Sequence, residues 1–293
     1  MRRSLTLLVV AIALVACKRQ QHEEEFVDIG VIDNTTDSPP GIHPRIGRGD
    51  LVAIADAGRW VDQAARAIDI ADEAVVAQMG KLAHDVVLPL VDIDPGGASG
   101  QVIFVRWPNA TKSDAPLRGA DAQRWVLVAL MLDPPRVVDV ELLHGNPEPN
   151  GTEARRIDAL LIAGAALQSQ ATGQAYYTVD RFVEEPVEEK KRRSKIVSIV
   201  YALAQNEDGP DLEIAVDEPA KRGKPPALLR AQIVHPKGTL QADPVVVQWP
   251  DPHPLTVARA LERDPEGKPL SVRVQSGLYA VSPKDGAVER VGP

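Results

Sequence analysis

From residue 51 onward the chain switches repeatedly between helical and strand periodicities. Val61, Ala64, Ile68, Ala71, Val75, Met79 and Leu82 recur every three or four residues, which lines them up along one side of a helix. Asp50 stands just ahead, a residue type that caps helix N-termini with its side-chain oxygen. A helix packed on a sheet is therefore expected here, with Asp56, Asp62, Asp69, Asp72 and Glu73 off the stripe and solvated. Strand-like runs follow at 86–93, 101–107, 123–132 and 136–143. Trp125 to Leu132 is apolar at nearly every position, the mark of a central strand. Val138, Val140 and Leu142 alternate with Asp139 and Glu141, the mark of a half-buried one.

The pattern then repeats. A second helix is predicted from Thr152, as N-cap, to Gln170, with Ile157, Leu160, Leu161, Gly164 and Leu167 as its stripe and Gly173 as its stop. Strand-like runs resume at 174–183, 195–204, 211–217, 229–235 and 244–249. Asn206-Glu207-Asp208-Gly209 and Lys284-Asp285-Gly286 lie between alternating runs and read as hairpin turns. A helix followed by a run of strands, twice over, predicts an α+β fold with antiparallel sheets and two main helices, not alternating βαβ units. Val102–Pro108 and Val245–Pro250 both end in a V-x-W-P pattern, Val105 to Pro108 and Val247 to Pro250, that would suit two similar halves, 49–145 and 151–293.

The first seventeen residues follow a different logic. Arg2 and Arg3 open the chain, and Leu5 to Ala16 is apolar except for Thr6. A charged start and a short apolar run make an export leader, and the run is shorter than the ~20 residues a membrane-spanning helix needs. It ends in Leu14-Val15-Ala16-Cys17. This tetrapeptide resembles the lipobox of bacterial lipoproteins. The resemblance implies cleavage after residue 16 and lipid on the sulfur and the new amino group of Cys17. Cys17 is the one cysteine of the chain, so no disulfide is expected. Lys18, rather than Asp, follows it. By the sorting rule of that family this favours the outer membrane over the inner one. Residues 17–48 carry Lys18 to Glu25 and Asn34 to Gly41, polar and turn-rich, and are expected to form a flexible tether after the leader 1–16.

Composition narrows the function. The 293 residues are 44% hydrophobic and 25% charged, which suits a folded domain and excludes a multispan membrane protein. Aromatic residues are 4%, so the core must be aliphatic. The net charge of −8 speaks against a nucleic-acid partner.

Candidate chemistry is thin. Asp92-Ile93-Asp94-Pro95-Gly96-Gly97 resembles the start of a calcium loop, but the twelfth position is Ile103 where a bidentate Glu is required. A hairpin turn is the better reading. Gly96 to Gly100 is followed by a strand, not by the helix N-terminus a phosphate cradle needs. His22, His43, His84, His144, His235 and His253 have no zinc spacing. His144 and His235 close apolar strands and read as strand-end polar residues. Glu184 to Lys195 packs four acids and then five bases around Ser194 and reads as a solvated hairpin loop. No catalytic, cofactor or metal residue is assigned; the one assigned site is lipidation at Cys17. The expectation is a membrane-anchored envelope lipoprotein, held by lipid on Cys17, with a binding or scaffolding role toward another envelope protein. The alternatives are a lipid-anchored hydrolase whose site is scattered in sequence and a small-molecule-binding lipoprotein.

Overall fold

The computed structural model describes residues 43–44, 46–47, 49–79, 86–94, 97–108, 116–145, 147–170, 173–188, 193–206, 209–217 and 226–293. Residues 1–42, with the expected leader, Cys17 and most of the expected tether, and residues 189–192 of the charged segment 184–195 lie outside them.

Among the described residues there are three α-helices and three sheets, an α+β fold. A two-residue strand, β1 (His43–Pro44), precedes helix α1 (Leu51–Met79). Then come β2 (Val86–Ile93), β3 (Ser99–Trp107), β4 (Gln123–Leu132) and β5 (Pro135–Leu142), an antiparallel meander in that order. Helix α2 (Gly151–Gln170) opens the second round. It leads into β6 (Tyr176–Glu188), β7 (Arg193–Ala204), β8 (Asp211–Asp217) and β9 (Ala227–His235), a second meander with β1 added parallel to β6. The helix-then-four-strands order therefore does recur. The C-terminal third adds β10 (Val245–Val246), helix α3 (Pro254–Leu261), β11 (Leu270–Val274), β12 (Gly277–Val281) and β13 (Val288–Gly292), whose strands make a third sheet.

Side-chain parity explains how the layers stack. On β3, Val102 and Phe104 join the core around α1, while Ile103, Val105 and Trp107 join the core around α2. On β7, Ile199, Tyr201 and Leu203 face the α1 side, and Val200 and Ala202 the α2 side. Successive strand residues point to opposite faces, so both meanders are covered twice, by α1 on one face and by α2 on the other. Each fully buried Leu, Ile, Val or Phe contributes roughly 1.5–3 kcal/mol. That is why β7 reads as a nearly continuous apolar run from Ile196 to Ala204, broken by Ser198.

Most elements match the periodicity, and the departures have local causes. Asn150, not Thr152, caps α2: its Oδ1 accepts from the N–H groups of Thr152 and Glu153, and Glu153 Oε2 accepts from Asn150 N–H at 3.1 Å. This is a reciprocal capping box shifted by two positions. In β5 the alternation breaks at a bulge opposite Ala129 and Leu130. Val137 and Val140 pack inward, and Val138 is pushed out to 59% exposure. Asp62 is buried rather than solvated, because α3 and β13 cover a side of α1 that the stripe alone leaves open. The two V-x-W-P stretches occupy non-equivalent places, the end of an interior strand of the first sheet and the segment just after the short edge strand β10. That sequence pattern is no trace of the repeat. Among the described residues no helix is long and apolar enough to cross a membrane.

Helices α1 and α3 touch closely at Gly58. A Cβ there would lie 2.3 Å from Val257 Cβ and 2.7 Å from the Pro254 carbonyl oxygen. Helix propensity alone predicts that Gly58→Ala gains about 1 kcal/mol. The clash is with a β-branched side chain and backbone, so overpacking dominates and a net loss of about 1–3 kcal/mol is expected. A urea midpoint at or above that of the parent would contradict this packing.

Candidate functional site

Three polar clusters stand inside or beside these cores, and the first two are closed. Arg156 projects from α2 between the edges of the two meanders. Its Nε donates to both oxygens of Asp180 on β6 (3.1 and 2.9 Å), its Nη1 to Asp92 on β2 (2.6 Å), and its Nη2 to the Val91 carbonyl (2.7 Å) and Asp180 Oδ1 (3.0 Å). One guanidinium thus satisfies an edge carbonyl and two carboxylates. Burial alone would lower its pKa, and the two acids more than offset that, so it stays charged. The Asp92 motif is a hairpin turn as expected: Gly97 N–H donates to the Asp94 carbonyl at 2.7 Å. Among the described residues no group of three or more His, Cys, Asp or Glu could hold a metal.

The second cluster corrects the reading of His235. This side chain is 0% exposed. Its Nδ1 lies 2.8 Å from Asp211 Oδ2 and its Nε2 2.9 Å from Thr256 Oγ1. Burial pushes the His235 pKa down, outweighing the bond to Asp211. The neutral ring then donates from Nδ1 to the carboxylate and accepts the Thr256 hydroxyl at Nε2. Arg259 of α3 closes the other side, with Nε 2.9 Å from Asp211 Oδ2, and Nη2 2.6 Å from Oδ1 and 2.8 Å from the Ala204 carbonyl. Burial would raise the Asp211 carboxyl, but the His235 and Arg259 hydrogen bonds together hold it below its ordinary value. The Asp–His–Thr order resembles a nucleophile relay. Thr256 is 0% exposed, and the Asp211 carboxylate behind His235 is also bound by Arg259, so no substrate reaches the hydroxyl as it stands. The network works as a clamp that seats α3 on the ends of β7, β8 and β9.

The third cluster is open. A cleft of about 300 Å³ lies on the α1-facing side of the second meander, closed at one end by Ile46 and Ile54 and at the other by the 249–254 turn. Arg181, Tyr201, Glu213 and Arg230 project into it from four successive strands. Trp249 lies against the His253 ring, centroids 4.5 Å apart, and Tyr201 meets that ring edge-on at 6.0 Å. His253 caps α3, its Nδ1 accepting from Leu255 N–H at 3.2 Å. That fixes the tautomer: the proton is on Nε2, which donates to Glu213 at 3.0 Å. Arg230 reaches Glu213 at 3.2 Å. Burial would raise Glu213, but His253 and Arg230 hold it ionised, below its ordinary value.

Arg181 is different. Its Nε is buried without a hydrogen-bond partner, and its guanidinium stacks only on the Trp60 ring, 5.8 Å from the centroid. Burial lowers its pKa, with Tyr201 and Asp56 opposing.

None of these cleft residues was signalled by a motif. The available signal was a charged residue at core parity: Arg181 sits between Val179 and Val183, on the inward face of β6. His144 is exposed at a strand end, as expected. Cys17 lies outside the described residues. No family model matches the chain, and neither a curated protein nor a solved structure matches it at a significant level.

Proposed function

We propose that the chain is a bacterial envelope lipoprotein, anchored by lipid on Cys17 and carrying a binding body without catalysis. The observation that carries this reading is the leader: Arg2 and Arg3, an apolar run, and Leu14-Val15-Ala16-Cys17 ending in the chain's one cysteine. A single acyl chain holds a protein only weakly, whereas lipid on both the sulfur and the new amino group holds it firmly. With residues 1–16 removed, 277 residues remain and their net charge is −10. Residues 18–42 then serve as the tether, because His43–Pro44 pair with β6 and Ile46 packs on the core, and Lys18 favours the outer membrane. The body supports a binding role because the charges of Arg156 and Asp180 and of Asp211 and Arg259 are consumed in structural networks, while its open cleft presents held and unheld charges beside aromatic rings.

Expression of the full chain in a bacterium with labelled palmitate tests the anchor. Cys17→Ser is expected to abolish the label and move the protein from the membrane to the soluble fraction. Unchanged labelling of that variant would overturn the proposal.

A further inference from the structure

We propose that the cleft between α1, the second meander and the 249–254 turn is a receptor site for a small organic anion, a carboxylate or phosphate head group on an apolar body, with Arg181 holding the head. This rests on the reading of the body as a binding module.

The polarity of the ligand follows from which charges in the cleft are already committed. Glu213 is held by both Arg230 and His253, so it offers a cation little. Asp251 lies in the lining but is half-exposed, where water solvates a carboxylate at little cost. Arg181 is the opposite case. It is a half-buried cation, its Nε shut off from water, with no hydrogen bond or ion pair among the described residues. A buried donor without a partner is destabilising, and charged donors more so. Such a group in a native fold calls for a partner, and in an open cleft a bound anion can supply one. The guanidinium fork suits the two oxygens of a carboxylate or phosphate.

The body of the ligand follows from the walls. Ile54, Val183, Ile199, Tyr201 and Trp249 supply its apolar and aromatic lining. A cleft of about 300 Å³ is at the small end of the range for ligand sites. That volume accommodates a two-ring or branched apolar group. The His253 ring, tilted 55° against Trp249, is tied at both ring nitrogens. The aromatic wall is therefore in place before the ligand arrives, which lowers the ordering cost of binding.

The test is titration calorimetry on the full-length protein in detergent with four probes: 2-naphthoate, 2-naphthyl phosphate, 2-naphthylmethanol and inorganic phosphate. At least one naphthyl anion should bind at least tenfold more tightly than neutral 2-naphthylmethanol, and more tightly than inorganic phosphate. The tighter of the two anions names the head group. Arg181→Met should weaken that anion at least tenfold and leave 2-naphthylmethanol within about twofold. Equal affinity for the neutral and charged naphthyl probes, or an unchanged anion affinity in Arg181→Met, overturns the proposal. So does the absence of binding by both naphthyl anions. If Arg181→Met does not fold, the parent protein's preference between 2-naphthylmethanol and the anions decides alone. Failure here leaves the palmitate result at Cys17 untouched, so the two readings fail separately.

Discussion

Arg156→Met is expected to destabilise the fold by about 3–5 kcal/mol, the largest effect of any single substitution considered for this chain. The reason lies less in the bonds lost than in what they leave behind. The Asp180 side chain is 2% exposed, and every hydrogen bond identified for its carboxylate comes from Arg156. Without the guanidinium a buried carboxylate stands uncompensated beside the bare Val91 carbonyl. The deficit can be separated from lost packing. Arg156→Met combined with Asp180→Leu removes both charges and should recover a large part of the stability, because apolar replacement of a whole buried pair is often near neutral. Urea denaturation of the two variants checks this. A loss under about 1 kcal/mol in Arg156→Met would mean that the two meanders hold together without this link.

The second large effect is acid sensitivity at the α3 clamp. The folded-state pKa of His235 is lowered from the model-compound value of 6.5 by burial. As pH falls below about 7, the unfolded chain therefore binds a proton that the folded one refuses, and stability declines. Asp211 and Glu213 have lowered pKa values, so their contributions are present above the ordinary carboxylate range and are lost on further acidification. Other acids pull the opposite way. Burial and the neighbouring Asp69 and Glu73 raise Asp72 to about 6, and burial raises Asp62, Asp158 and Glu262 despite their cationic or hydrogen-bonding neighbours. These groups bind protons first in the folded state, so they add stability as pH falls toward 4. The whole curve is a composite, and a variant difference isolates the histidine. His235→Asn should cost about 1–3 kcal/mol at pH 7 by breaking the bonds to Asp211 and Thr256. The gap between parent and variant should narrow as pH falls from 7 to 5, by up to about 1.4 kcal/mol per pH unit. A gap that stays constant or widens would show that His235 does not remain neutral in the fold.

Much of the architecture was legible because it rests on local periodicity. The bounds of β2 and β4 coincide with their apolar runs, and the first helix begins right after its capping Asp50, whose Oδ1 accepts from Ala53 N–H at 3.0 Å. What escaped depends on distant partners or on pieces too short for a period to show. Helix α3 has eight residues, barely two turns, and follows a proline-rich stretch that reads as turn. Its signal was Pro254 at the first helical position behind His253. The β5 bulge is set by pairing with β4, so alternation within β5 alone put Val138 on the wrong face. Asp62 looked solvated because only a neighbouring element, far along the chain, buries it.

The site was less legible than the fold, for the same reason. Arg156 meets acids 24 and 64 residues away, and His235 joins Asp211 and Thr256 across separations of 24 and 21. No motif spans such distances. Charged residues at inward parity of buried strands, Asp180, Arg181 and Glu213 among them, were the one trace the sequence carried. The proposed leader is the reverse case: the reading rests on local sequence alone, and the fold of the body does not bear on it.

The central claim is that this body is held at a membrane by lipid on Cys17. The most direct measurement is the intact mass of the full-length gene product recovered from bacterial membranes in detergent, with fragmentation of its N-terminus. The account predicts a chain that begins at Cys17, heavier than the 277-residue polypeptide by a diacylglyceryl group, with or without an added N-acyl chain. A mass equal to the unmodified polypeptide, or an N-terminus other than Cys17, would contradict it.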